Sequence, residues 1–277
     1  MTTLYYESKR RDRKPDGFIY VASIHQLYYE LALYSATTLK DYYPEADITL
    51  FTHESFVDER ALTGLFDSVI CRIPQSKRAK MWCMARTPYE SSTAYIDCDS
   101  FIRHRDISRI HEFAHQNDLN FGSNALYTVA SPRLVTVDKE GQYPAIHHGS
   151  ICIYKSTPKN LSFHDAWYTE YHKQISEDPW PYEDWAHPIW RNFDMFTLWR
   201  MAFNHNNEFP QFEDLSVESI PHRWNATTLH HKSDIGKNPP VVVQIDRNTI
   251  AEIPYLWNDI RKNLNKPSLE CNPHKFD

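Results

Sequence analysis

Short apolar runs alternate with helical patterns through the first hundred residues, and this alternation constrains the fold more than any other feature. Phe18-Ile19-Tyr20-Val21-Ala22, Ile48-Thr49-Leu50-Phe51, Val69-Ile70-Cys71-Arg72-Ile73 and Thr93-Ala94-Tyr95-Ile96-Asp97 all have strand character. Between the first two, Leu27, Leu31 and Tyr34 share a helical face with Ala32, Ala36 and Leu39 beside it, and Tyr43-Pro44 stops the pattern. Residues 56–65 and 76–86 are helix-compatible. The series predicts an α/β domain built on a Rossmann-like, mostly parallel sheet with helices on both faces. Such sheets bind ligands beyond the carboxyl ends of their strands. Later elements are less regular, with strands expected at 120–123, 151–154 and 241–245 and helices at 161–175 and 194–203. A basic leader, Lys9-Arg10-Arg11-Asp12-Arg13-Lys14, ends at Pro15-Asp16-Gly17 and is expected to be solvated or loosely attached. No repeat or linker divides the rest of the chain, which gives a leader at 1–16, one domain at 17–255 and a tail at 256–277.

The chain has only six glycines, at positions 17, 64, 122, 141, 149 and 236. No two are separated by a single residue, so a G-x-G-x-x-G dinucleotide loop is impossible, and Gly236-Lys237 has His231 where a P-loop needs its first glycine. If phosphates are bound, something other than a glycine cradle holds them. A net charge of −6 argues against bulk attraction to nucleic acid or anionic membranes. Five cysteines without a C-x-x-C pair fit a reducing compartment. Neither an apolar run of about 18 residues nor a hydrophobic signal core is present, so a cytoplasmic location is expected.

The most informative stretch is Tyr95-Ile96-Asp97-Cys98-Asp99-Ser100. If the strand stays extended, two carboxylates two residues apart point to the same side. At the mouth of a parallel sheet they can hold a hard divalent ion, Mg²⁺ or Mn²⁺, leaving positions open for phosphate oxygens. An isolated Asp-x-Asp also occurs in turns and solvated strand ends; what raises the functional reading here is its place after the fourth strand of the series. Lys77, Arg78, Lys80 and Arg86 run just before it, and for most of them a solvated helix face is the simpler account.

Taken together, these segments resemble the GT-A-type glycosyltransferases, nucleotide-sugar-dependent enzymes marked by Asp-x-Asp after a run such as Thr93-Ala94-Tyr95-Ile96. The resemblance extends from about Gly17 to Asp246. Ser35 to Pro44 is similar to the first helix and its exit, and Ala145 to Tyr154 to the segment where a glycine precedes a strand beside the donor sugar. Phe193 to Trp199 resembles the acidic start of the helix that faces the sugar, and Ile220-Pro221-His222-Arg223-Trp224-Asn225 the Leu-Pro-x-x-Tyr/Trp-Asn stretch.

The resemblance implies a single GT-A-like domain whose C-terminal half is elaborated on the acceptor side. Asp97 would contact the ribose or metal-bound waters, and Asp99 would bind the metal directly. Ala22 and Ser23 would border the base and ribose, Lys80 or Arg86 would meet the diphosphate or donor sugar, and Gly149 would allow close approach to the sugar. Many relatives carry a histidine metal ligand in the late strand, where this chain has Gln244; Asp246, His230 and His231 remain alternatives. Acidic catalytic candidates are Asp184, beside Glu183 in an aromatic-rich stretch, and Asp194, which is equally well read as a helix N-cap or first-turn acid. The activity implied is transfer of a sugar from a nucleoside-diphosphate sugar, UDP foremost, to an acceptor hydroxyl of a glycan, protein or small molecule, with Mn²⁺ or Mg²⁺. Two alternatives accompany it. One is a phage-type DNA glycosyltransferase acting on a flipped hydroxymethylated base, with the basic leader and Arg103-His104-Arg105 on phosphates. The other is a non-catalytic nucleotide- or sugar-binding protein on the same fold. A nucleotidyltransferase is disfavoured because Ala22-Ser23-Ile24-His25 is no glycine-rich loop. The fifteen histidines, including the pairs His147-His148 and His230-His231, show no zinc-ligand spacing and read as surface or satisfied interior groups.

Overall fold

The computed structural model describes residues 5–7, 14–124, 136–137, 144–182, 188–202, 207–227, 239–245 and 262. Among them the first sheet runs in the order β1-β4-β3-β2-β5-β9-β7-β10, with β8 paired to β9. Its strands are β1 (Tyr5–Glu7), β2 (Asp16–Ala22), β3 (Ile48–Thr52), β4 (Ser68–Ile70), β5 (Ser92–Ile96), β7 (Leu119–Asn124), β8 (Thr136–Val137), β9 (Pro144–Lys155) and β10 (Val217–Ser219). β4, β3, β2 and β5 are mutually parallel, as expected. The long β9 then enters antiparallel between β5 and β7. The sheet is therefore mixed, with a parallel half built from the first hundred residues.

β2 shows why both faces are covered. Phe18, Tyr20 and Ala22 enter one core, while Ile19 and Val21 enter the other. A strand buried on both faces reads as a continuous apolar run, which is what the sequence shows. The first core is closed by α1 (Gln26–Tyr42), which buries Tyr29, Ala32, Leu33, Ala36 and Leu39; its expected face residues Leu27 and Tyr34 are only partly buried. The second is closed by α2 (Ala79–Met84), α4 (Pro158–Ser176) and α5 (Asp194–Ala202), with the short α3 (Glu112–Gln116) on the opposite side. Local chemistry sets the ends. His25 Nδ1 accepts from Leu27 N at 3.0 Å, and Thr157 Oγ1 accepts from Asn160 N at 3.2 Å ahead of a first-turn proline.

A small second sheet joins β6 (Ser100–Ile102), β12 (Val242–Gln244) and β11 (Ala226–Thr227). It brings the late strand back to the residues that follow Asp99. Three expectations change. Tyr5–Glu7 of the leader pairs with β4, because a short, unpaired parallel edge accepts an extended segment. The third strand ends at Ile70, since Arg72 takes a left-handed φ of 68° that a strand cannot continue through. Residues 56–65 form two broken helical turns, at Glu54–Phe56 and Ala61–Leu65, interrupted at Gly64 with φ 97°. The tail at 256–277, Lys262 apart, lies outside the described residues. No described helix is long and apolar enough to cross a membrane.

Candidate functional site

A cavity of about 300 Å³ opens at the carboxyl ends of β2 and β5. Val21, Leu27, Tyr28 and Leu31 make its apolar wall. Lys77, Arg78, Lys80, Asp97 and Asp99 make its charged end, and Ser23 also lines it. Ala22 is buried one residue before; the Ser23 hydroxyl donates to Ser76 O at 2.9 Å and ties the strand end to the basic segment.

Asp97 and Asp99 both reach the cavity, though not by strand alternation. β5 ends at Ile96, and Ser100 N donates to Asp97 O at 3.1 Å, closing a tight turn over 97–100. The turn is held from three sides: Asp97 N donates to Ser150 O at 2.7 Å, the Cys98 thiol to Val21 O at 3.3 Å, and Ile245 N to Asp99 O at 2.9 Å. The Tyr95 hydroxyl donates to Asp97 Oδ1.

Lys80 is the hinge of the site's electrostatics. It is buried, and its ammonium donates to Gly149 O at 2.7 Å while lying 3.3 Å from Asp194 Oδ2 and 3.7 Å from Asp97 Oδ1. Arg78 Nη2 is 3.1 Å from Asp194 Oδ1. Burial works to raise the Asp194 pKa, but Lys80 and Arg78 outweigh it and hold the carboxyl well below the usual range. Asp194 is thus an enclosed, ionised partner of two cations at the start of α5. Trp167 Nε1, donating to Asp194 O at 3.0 Å, seats it there.

Burial raises the Asp97 pKa, and Lys80 offsets only part of that. Asp99 is pushed up to about 7, first by burial and then by the neighbouring Asp97. Two carboxylates that repel each other in a half-closed site form a donor set that a hard divalent cation fits. Gln244 stands where the late-strand ligand was expected: β12 registers Gln244 on Ser100, and its amide lies 3.5 Å from Asp99 Oδ1. Among the described residues no third His, Cys, Asp or Glu converges on the pair.

Not every expected residue gathers here. The structure does not bring Arg86 to the cavity: past the end of α2, its guanidinium lies 2.8 Å from Asp165 on α4 and 4.0 Å over the Trp82 ring. Asp184, Glu183, His230, His231 and Asp246 lie outside the described residues. Gly149 does allow a close approach, but by protein groups: an added Cβ would stand 2.8 Å from Trp167 and 3.2 Å from Lys80 Nζ. Lys77 and Arg78, which a solvated helix face explained more simply, line the cavity instead. His148, Ser150 and Asn225 lie in two segments that carry the resemblance, but nothing local in the sequence signals that they meet: His148 Nδ1 is 2.7 Å from Ser150 Oγ, and Ser150 Oγ is 3.0 Å from Asn225 Oδ1.

No protein-family model matches the sequence, and no curated protein does. Solved structures do match. The galactosyltransferase LgtC, in complex with donor and acceptor sugar analogs, superposes with a TM-score of 0.55 at 12% identity, over 91% of this chain and 97% of its own. The glycosyltransferase GlyE of Streptococcus pneumoniae TIGR4 gives 0.53 at 11% identity, over 92% of this chain and 66% of its own. The bifunctional glycosyltransferase WbbM gives 0.52 at 10% identity, over 94% of this chain and 51% of its own. Identities this low speak to architecture alone, and the architecture agrees across nearly the whole length: the chain has the GT-A glycosyltransferase fold.

Proposed function

We propose that the protein transfers a sugar from a nucleoside-diphosphate sugar, UDP foremost, to an acceptor hydroxyl, using Mn²⁺ or Mg²⁺. The observation that carries this reading is the cavity at the ends of β2 and β5, where an apolar wall meets three cations and two carboxylates. Val21, Leu27, Leu31 and Tyr28 suit a flat base and ribose, since pockets of this kind bind chiefly through apolar contact with a few placed polar groups. Lys77 and Arg78 are positioned for diphosphate oxygens, and their charge grows in value as the leaving group accumulates negative charge. Asp99, with Asp97 and the Gln244 amide oxygen, would hold the cation. When bound, the cation supplies Lewis-acid neutralisation of the departing diphosphate. Lys80, held against Asp194, favours the ionised form of Asp97 and keeps the Gly149 carbonyl in place. Fold likeness to LgtC, GlyE and WbbM supports the reaction class.

A donor screen with Mn²⁺ or Mg²⁺, reading nucleoside diphosphate released, tests the proposal. Release from one donor, abolished by EDTA, restored by added metal and reduced at least 100-fold by Asp99→Ala, is the expected result. Equal release with EDTA present, or from the Asp99→Ala variant, would refute the metal assignment; no release from any donor would refute the transferase reading.

A further inference from the structure

Asp97, Asp99 and Asp194 all feel the Lys80 charge, yet only the first two line the cavity. Asp194 is buried behind them, and both its oxygens face cations: Oδ1 lies 3.1 Å from Arg78 Nη2 and Oδ2 lies 3.3 Å from Lys80 Nζ. A general base must lie within hydrogen-bond reach of the proton it removes. A buried carboxylate already engaged by two cations, and held well below its usual pKa range by them, is unsuited to that task.

What Asp194 does touch are two of the three cations that line the cavity. Lys80 is shared among Asp194, Asp97 and the Gly149 carbonyl. Arg78 is held from two sides, by the Asp194 carboxylate and by the Tyr171 ring, whose centroid is 5.8 Å from the guanidinium carbon. An anion that enters the cavity must therefore compete with Asp194 for Arg78, since a guanidinium turned to one carboxylate offers a second partner only its remaining N–H groups.

The balance of charge gives this competition a purpose. With Asp97 and Asp99 ionised, three carboxylates offset Lys77, Arg78 and Lys80. A divalent cation and the two negative charges of a nucleoside-diphosphate sugar preserve that balance. The released diphosphate carries one more negative charge, and an unopposed Arg78 would grip it more firmly than the donor.

We propose that Asp194 is a positioning residue that acts through Arg78, drawing the guanidinium away from the diphosphate so that the product is held loosely enough to leave. The inference rests on the donor-site reading. It gives Asp194 a part in binding strength and none in proton transfer.

Calorimetric titration with UDP in the presence of Mn²⁺ tests it, because the expected change is a gain. Asp194→Asn keeps the side chain's size and removes its charge, and it should bind UDP at least fivefold more tightly. Uridine, which has no phosphate, should bind within twofold of the unmodified protein, which also certifies that the variant is folded. Adding Arg78→Met to Asp194→Asn should abolish the gain. Arg78→Met alone, with Asp194 still paired to Lys80, should weaken UDP less than fivefold, and this arm decides the matter if Asp194→Asn does not fold. A structural role for Asp194 predicts weaker UDP binding by the folded variant, and a proton-transferring carboxylate predicts unchanged binding; either result overturns the inference. So does a gain that survives Arg78→Met, or a loss above fivefold in Arg78→Met alone. Failure of the unmodified protein to bind UDP overturns the donor-site reading, and this inference with it.

Discussion

Lys80 shows how much one side chain can hold together. Its ammonium meets a carbonyl on β9, a carboxylate after β5 and another at the start of α5. Replacing it with a methionine of similar length removes the charge, takes the nearest cation from Asp97 and leaves Asp194 with Arg78 alone. Breaking a buried pair in this way costs about 3–5 kcal/mol, because the surviving charges stay desolvated. Lys80→Met is therefore expected to lower the urea midpoint by that equivalent, and Asp194→Asn in the same chain to restore part of it. Additive losses in the double variant would show that the two side chains do not interact. Gly122 makes a smaller case of the same kind. Gly122→Ala drives a methyl into Asn225 and to 2.8 Å from Ile151 Cγ2, and overpacking a fixed buried pair costs about 1–3 kcal/mol. Unchanged stability in that variant would mean that Asn225 can move aside.

At the scale of elements, the site depends on how α4, α5 and β9 are seated. Trp167 on α4 is fully buried, meets Phe121 edge-on with centroids 5.8 Å apart, and anchors the first residue of α5 through Asp194 O. Trp167→Phe keeps an aromatic ring but forfeits the hydrogen bond and part of the volume, a loss of about 1–3 kcal/mol. The consequence should be local. Amides of residues 194–202 are expected to exchange faster by hydrogen exchange, before those of β2 and β5 change. Uniform acceleration across the sheet would mean that α5 opens only with the whole domain. β9 contributes a register shift against β7 between Phe121 and Gly122, and this sets where His148, Gly149 and Ser150 meet the end of β5.

The molecule as a whole carries an acid sensitivity. His111 and His147 are lowered to about 4, and His148 and His164 to about 3, burial being the first cause in each. Neither ring nitrogen of His164 has a hydrogen-bond partner among the described residues, and the ring packs 4.3 Å from Tyr154. The unfolded chain takes up these protons near pH 6.5, whereas the native state resists until about 3 to 4. Stability is therefore fully present above pH 6.5 and falls as pH drops through the window to 4. Each histidine contributes about 1–2 kcal/mol of loss by pH 5. Asp97 and Asp99, whose pKa values are raised, act in the opposite sense, but two groups oppose four. Urea midpoints should thus decline from pH 7 to pH 5, and His164→Leu should flatten part of that decline while raising stability at pH 7. A pH-independent midpoint would contradict the neutral native histidines.

The sequence by itself determined the parallel half of the sheet, its two covering layers and the placement of Asp97 and Asp99 just after β5, though not the turn that carries them. Apolar runs buried on both faces, helical periodicity and an Asp-Cys-Asp step are all local patterns, readable within a few residues. It also placed Gln244 and Gly149 near the site, through resemblance and not spacing. Tertiary structure alone decided the rest. That β9 enters antiparallel between β5 and β7 cannot be read locally, because strand pairing is set by the packing of the whole sheet. Yet that insertion brings Gly149 to Lys80, 69 residues away, and Ser150 to Asn225, 75 residues away. The same packing sends Arg86 to Asp165 while its neighbours in sequence line the cavity. The type of element is a property of the chain's local chemistry, whereas the meeting of distant polar groups is selected by how the assembled core buries and neutralises them.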